Sequence, residues 1–203
     1  YATAIGSGAR GYAEDSQAIG REAETSAGAT RAIAIGTLSK SSGNYATSLG
    51  SSAEATAERA IAVGYKSKAE AERAISVGNL ANATKNDSIA VGNNSAASGL
   101  NASAVGKNSK ASGQSAAAFG DTAQATNTNA TAVGNQANAS NTNTTAIGNQ
   151  TVASGGNATA VGHLSQATAD GATAIGTNNK AGYEGTAVGL SNTVSGNTSA
   201  AFG

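Results

Sequence analysis

The sequence predicts an all-β fold, a parallel β-solenoid of 14-residue coils, on three observations: a glycine period, an apolar residue locked to it, and a shortage of large core side chains. The phrase small-x-small-aliphatic-Gly recurs with its glycine at Gly6, Gly20, Gly36, Gly50, Gly64, Gly78, Gly92, Gly106, Gly120, Gly134, Gly148, Gly162, Gly176, Gly189 and Gly203. Successive glycines are 14 residues apart except from Gly20 to Gly36 (16) and from Gly176 to Gly189 (13). A fixed short period is the signature of a repeat architecture. The 203 residues include 27 Gly but no Pro, Cys, Met or Trp, and only two Phe. Hydrophobic residues make up 39%, yet much of that is Ala. A conventional core needs larger side chains to offset chain entropy, so stability must come from repetition and association.

The residue before each glycine is bulky and apolar: Ile5, Ile19, Ile35, Leu49, Val63, Val77, Val91, Val105, Phe119, Val133, Ile147, Val161, Ile175, Val188 and Phe202. One residue earlier stands Ala, varied only by Ser48 and Ser76. Two residues before that the position is small again, as at Ala60, Ala74, Ser88, Ala102, Ala130 and Ala158. Alternation with period two makes the phrase a short strand with unlike faces. The glycine ends that strand and permits a turn geometry closed to other residues.

The other half of each coil carries a weaker alternation, as in Ser95–Gly99, Ser109–Gly113 and Ala53–Ala57. It reads as a second strand. Two strands of about five residues and two short turns fill a coil. Coils stacked at ~4.8 Å would make a rod roughly 70 Å long. A helical repeat fits badly. Each coil has one large apolar position, Gly would recur inside every helix at ~1 kcal/mol, and β-branched residues and Asn are frequent. Disorder would not hold a bulky residue in register.

The small set, including Ala60, Ala62, Ala97, Ala102, Ala104 and Ala111, is expected to line the interior and let the two sheets approach closely. The bulky row then points outward, beside a companion row three residues before each glycine: Thr3, Ile33, Thr47, Ile61, Ile75, Ile89, Ser103, Thr131, Thr145, Thr159 and Thr173. An exposed apolar stripe of that extent marks an interface, so Ile5 through Phe202 are the candidate residues for association of copies about a common axis. Alternation alone leaves the opposite assignment open, and the number of copies does not follow from it.

The phrases Ala32-Ile33-Ala34-Ile35-Gly36, Ala60-Ile61-Ala62-Val63-Gly64 and Ser88-Ile89-Ala90-Val91-Gly92 are each followed three residues later by Ser. They resemble the head repeats of YadA-like trimeric autotransporter adhesins, and the resemblance covers essentially the whole chain. It implies a left-handed parallel β-roll, a parallel homotrimer, and display on the Gram-negative outer membrane at the cell surface. It further implies a virulence-associated head that binds host cells or matrix proteins such as collagen, fibronectin or laminin, and that mediates autoaggregation. Residues 1–203 then form one head domain of about fifteen coils. The family's stalk, neck and C-terminal membrane anchor are absent, and any membrane link is through that missing anchor. Tyr1 opens directly on the pattern, as in an excised or processed fragment. One departure is the companion row, often Val in the family and Thr in most coils after residue 130.

No catalytic constellation is visible, and no enzyme, cofactor or metal is expected. His163 stands alone after a coil glycine and reads as an exposed turn residue. The pairs Glu22/Glu24, Glu54/Glu58 and Glu70/Glu72, with Arg59 and Arg73 one coil apart, read as a solvated charge ladder. Twelve basic and twelve acidic residues leave no net charge, which gives nucleic acid no basic patch to bind. Asn-x-Ser/Thr triplets at Asn82, Asn101, Asn129, Asn138, Asn157 and Asn197 follow from composition. The register breaks, an insertion within Ala27–Arg31 and a deletion near Tyr183–Gly185, are expected to alter single turns, either as drift in a solvent loop or as features a partner recognises. Two other readings of the whole chain are an ice-binding β-solenoid, from the Thr run at 131, 145, 159, 173 and 186, and a passive spacer in a surface fibre. A polysaccharide-processing β-helix would need grouped acids and aromatics, which are missing.

Overall fold

A computed structural model describes all residues from Tyr1 to Gly203. The chain is all-β, has no helix, and divides into two compact units, Tyr1–Asn101 and Ala102–Gly203. In the first unit, the strands ending at each coil's apolar residue form one parallel sheet, as in Ile61–Val63, Ile75–Val77 and Ile89–Val91. The weaker phrases form a second parallel sheet, as in Glu54–Ala55, Lys68–Ala69 and Asn82–Ala83. The second unit repeats the arrangement, with strands such as Thr131–Val133 and Thr145–Ile147 in one sheet and Gln124–Ala125 and Asn138–Ala139 in the other. Pairing is in register at each step: Ile75 lies beside Ile61 and Ile89, Ser76 beside Ala62 and Ala90.

Most strands are shorter than the expected five residues. Three residues form a strand in the apolar half of most coils and two in the other half. Turns take the difference. After Val63 the chain passes Gly64-Tyr65-Lys66-Ser67, closed by the Ser67 N–H donating to the Gly64 carbonyl at 3.4 Å. The opposite corner is Ala57-Glu58-Arg59-Ala60, closed by the Ala60 N–H donating to Ala57 at 3.2 Å. In both, the third residue has positive φ, 52° at Lys66 and 55° at Arg59, as a type II turn requires. Neighbouring coils hold these corners: the Lys66 N–H donates to Ser51 at 3.0 Å and that of Arg59 to Asn44 at 2.8 Å. The left-handed conformation is costly for most side chains and mild for Asn. Asn94, Asn101, Asn108, Asn129, Asn143, Asn157 and Asn178 all occupy such corners, which gives the abundant Asn a structural reason.

The interior is almost entirely Ala, Ser and Thr. Ala60, Ala62, Ala69 and Ala74 are fully buried, as are Ala102, Ala104 and Ala111 in the second unit. Residues this small bring the sheets within reach of one side chain. Ser41, in the short-strand sheet, donates to the Ile33 carbonyl opposite at 2.6 Å and lies 2.9 Å from the Ser48 hydroxyl. Ser67 donates to the Ser76 carbonyl at 2.9 Å and lies 3.0 Å from its hydroxyl. Ser48 and Ser76, the two exceptions to Ala, thus have hydroxyl partners across the core, as buried polar groups need.

The coil glycine is required twice over. Gly50 has φ of 136°, and a Cβ there would lie 2.5 Å from the carbonyl oxygen of Gly64 in the next coil. Both register breaks are absorbed locally. The insertion forms an extra tight turn at Gly28 that folds Ala29 inward against Ala13 and Ala32. The deletion leaves Gly182-Tyr183-Glu184-Gly185 as a shortened corner, with the Gly185 N–H donating to Gly182 at 2.9 Å. A Cβ at Gly185 would lie 2.9 Å from Val194, so the missing side chain makes room for a larger interior residue.

Two substitutions test this geometry by chemical denaturation. Gly50→Ala should cost about 2–4 kcal/mol, since strain and a backbone clash add. Thr122→Asn, relieving a β-branched residue at φ 58°, should stabilise by about 0.5–1 kcal/mol.

Candidate interaction surface

The inward positions of the coils are small almost throughout, so apart from Asn179 and Val194 the large side chains lie on an outward face or a turn edge. The long-strand sheet carries the bulky row. Leu49 is 45% exposed and Phe119 40%. Ile5, Ile147, Ile175 and Phe202 are likewise exposed, while Ile19, Ile35, Val63, Val77, Val91, Val105, Val133, Val161 and Val188 are half-buried against neighbours in their own column. The companion row lies beside it, with Ile33, Ile61, Ile75 and Ile89 in the first unit and Thr131, Thr145, Thr159, Thr173 and Thr186 in the second. The structure thus puts the sequence-derived interface candidates on one outward face within each unit. Nothing in the chain covers that face.

The short-strand sheet is polar outside. In the first unit its outward column alternates in sign along the register, Arg10, Glu24, Lys40, Glu54, Lys68. Arg10 and Glu24 approach to 3.5 Å and Lys68 and Glu54 to 3.4 Å. The charges read from the sequence as one ladder divide between columns: Glu58, Arg59, Glu72 and Arg73 lie on a turn edge, and only Glu24 and Glu54 alternate here, with Arg10, Lys40 and Lys68. Their spacing of one coil, corrected for the insertion, is the signal that would have found them. Next in the column is Asn82, whose Oδ1 is buried without a hydrogen-bond partner.

The turn edge at Glu58-Arg59 carries a second ladder. The Arg31 Nη1 donates to the Tyr45 hydroxyl at 3.1 Å, and the guanidinium groups of Arg31 and Arg59 lie 5.7 and 6.0 Å from the Tyr45 ring centre. Cations near an aromatic ring are attracted by its quadrupole. Further along, Arg73 pairs with Glu72 and grips both oxygens of Asp87, Nε at 2.5 Å and Nη2 at 2.8 Å. Those hydrogen bonds, then the guanidinium charge, hold the Asp87 carboxyl below its ordinary 3.8, while Arg73 is shifted up. In the second unit the same edge has amides instead: Asn129 donates to Asn143 at 3.0 Å and Asn143 to Asn157 at 3.1 Å.

His163 ends a strand, exposed, beside Thr177. No three His, Cys, Asp or Glu side chains gather as a metal site. Sequence reasoning missed the buried asparagine at the end of the second unit. Asn179 is fully buried, and its Nδ2 donates to the carbonyls of Ile175 at 2.7 Å and Gly189 at 2.6 Å. Its Oδ1 accepts from the Asn192 N–H at 2.9 Å. Asn at 179 and 192, in a column otherwise of Ser, Ala and one Thr, was the available signal.

The model of the YadA head domain repeat (2 copies) matches residues 27–53, 55–81, 69–95, 83–109, 97–123, 111–137, 125–151 and 153–179. This chain belongs to the YadA head family. Successive windows from residue 55 advance by one 14-residue coil up to 125, the register seen in the strand pairing. No curated protein matches the chain closely enough to count as a relative. The family is that of adhesin-type head domains, typically without enzymatic activity, so this YadA-type head is to be read by its surfaces.

The Arg73–Asp87 pair gives this head a pH signature. A carboxyl depressed in the native state adds stability in full above 3.8, and loses it as pH falls through the lower native value. The gap in denaturation midpoint between the native sequence and Asp87→Asn should be constant near neutrality and narrow below about pH 3.8.

Proposed function

We propose that this chain is the adhesive head of a bacterial surface fibre, three copies associating in parallel, left-handed rolls through the row Ile5, Ile19, Ile35, Leu49, Val63, Val77, Val91, Val105, Phe119, Val133, Ile147, Val161, Ile175, Val188 and Phe202. The observation that carries the reading is the family match in coil register over residues 27–179, and the uncovered apolar row supports it. Burying that row against two copies removes a patch that lone soluble chains do not maintain. The short-strand faces and turn edges stay outward. Residues 1–203 act as one head domain, held at the Gram-negative cell surface by a stalk and membrane anchor that are not part of these residues. Its partners are matrix proteins such as collagen, fibronectin or laminin, host-cell receptors, and heads on neighbouring bacteria. Binding is non-enzymatic, built from weak contacts multiplied by repetition.

One observation favours a second reading. Thr131, Thr145, Thr159, Thr173 and Thr186 stand in parallel register on an outward face, the arrangement an ice-binding solenoid would use.

Two measurements separate them. The adhesive reading expects saturable retention of the purified chain on immobilised matrix protein or host cells, and no thermal hysteresis. Failure to bind any of them, with no self-association, reduces the head to a spacer; thermal hysteresis would favour the ice-binding reading.

A further inference from the structure

A groove of about 430 Å³ runs along the first unit where the short-strand face meets the Tyr65-Lys66 turn edge. Its walls include Ser52, Lys66, Lys68, Leu80, Asn82 and Asn94, contributed by successive coils. The size is within the range of small-ligand sites. Its chemistry is uneven. Lys66 is exposed and forms no ion pair, its ammonium resting 5.2 Å from the Tyr65 ring centre. Lys68 is engaged with Glu54, which also lines the groove, at 3.4 Å and with Glu70 at 4.0 Å. The Asn82 amide sits in register between Lys68 and Ala96, and its Oδ1 has no donor. Ala96 has none to offer. A buried acceptor without a donor calls for an explanation. Leu80 is exposed in the left-handed conformation, at φ 55°.

We infer that this groove is a binding site for a carboxylated sugar residue, of the sialic acid or uronic acid class. The carboxylate meets the unpaired Lys66 ammonium in a charge-assisted contact. Ring hydroxyls and an N-acyl group match the hydroxyl and amides of Ser52, Asn82 and Asn94. The Asn82 amide, on the groove wall, is placed to meet a sugar hydroxyl or N-acyl group. The apolar face of the ring lies on Leu80. A neutral sugar leaves Lys66 unused, and an acidic peptide offers few hydroxyls to the amide wall. Glu54 is neutralised by Lys68 and so does not repel the carboxylate. The groove lies away from the Val and Ile row, so it stays open in the proposed trimer. The inference rests on the adhesive reading and names the ligand class for one of its surfaces. A single site of this kind is weak, and repetition on a fibre and across a cell surface supplies avidity.

The test is NMR titration of the purified 203-residue chain with N-acetylneuraminic acid, with glucuronic acid, with galactose and with a glutamate tetrapeptide. Saturable shifts confined to the amides of Ser52, Lys66, Leu80, Asn82 and Asn94 are expected with either acid sugar, and none with galactose. Lys66→Gln should weaken the acid sugar at least tenfold, and Asn82→Ala about threefold or more. Lys107→Gln, on the second unit, should leave it unchanged. Circular dichroism checks that each variant keeps the β spectrum. No shift with either acid sugar, shifts unchanged in Lys66→Gln, or equal response to the tetrapeptide would each overturn the inference. Retention on matrix protein or cells, measured in parallel, separates the outcomes: retention without sugar binding sinks the groove alone, and loss of both sinks the adhesive reading with it.

Discussion

The close approach of two sheets across a layer of Ala, Ser and Thr governs everything else in this molecule. Four inward positions per coil admit only small side chains, so the interior contributes little apolar burial for each residue ordered. Coil-to-coil hydrogen bonding supplies the continuity that a large core gives elsewhere. The glycine column serves the same constraint, because the carbonyl of the next coil occupies the space a Cβ would need at Gly50.

With the interior nearly closed to large residues, Val194 alone of the Val, Ile, Leu and Phe side chains is buried there, and the rest point outward. Their alignment on a single face within each unit follows from parallel, in-register pairing, which repeats each position along a column. The same rule stacks charges into a ladder: Arg10, Glu24, Lys40, Glu54 and Lys68 alternate in sign, so that each lies beside opposite charge. Where charge gives way to amides, as from Asn129 to Asn157, hydrogen bonds between side chains take over the column.

Much of this was legible in the sequence because a period of 14 fixes register without knowledge of the fold. Alternation within Ala60–Val63 placed Ala60 and Ala62 inside and Val63 outside, and both placements hold. The strands were overestimated in length because the positive-φ position of each corner is rarely glycine and so carries no strong turn signal. Lys66 and Arg59 adopt positive φ under the hydrogen bonds of neighbouring coils rather than by preference. Only the recurrence of Asn at equivalent positions hinted at it. Asn179 escaped notice because two Asn at the end of a column, Asn179 and Asn192, read as variation until their hydrogen bonds are seen. The groove at Lys66 and Asn82 was hidden for a different reason: it is assembled from residues 52 to 94, none of which forms a motif.

The central claim is that the outward apolar row is completed by further copies of the same chain. Light scattering coupled to size-exclusion chromatography tests it most directly. The account predicts a particle of three times 19.3 kDa that persists on dilution. A stable, soluble species of 19.3 kDa would contradict it.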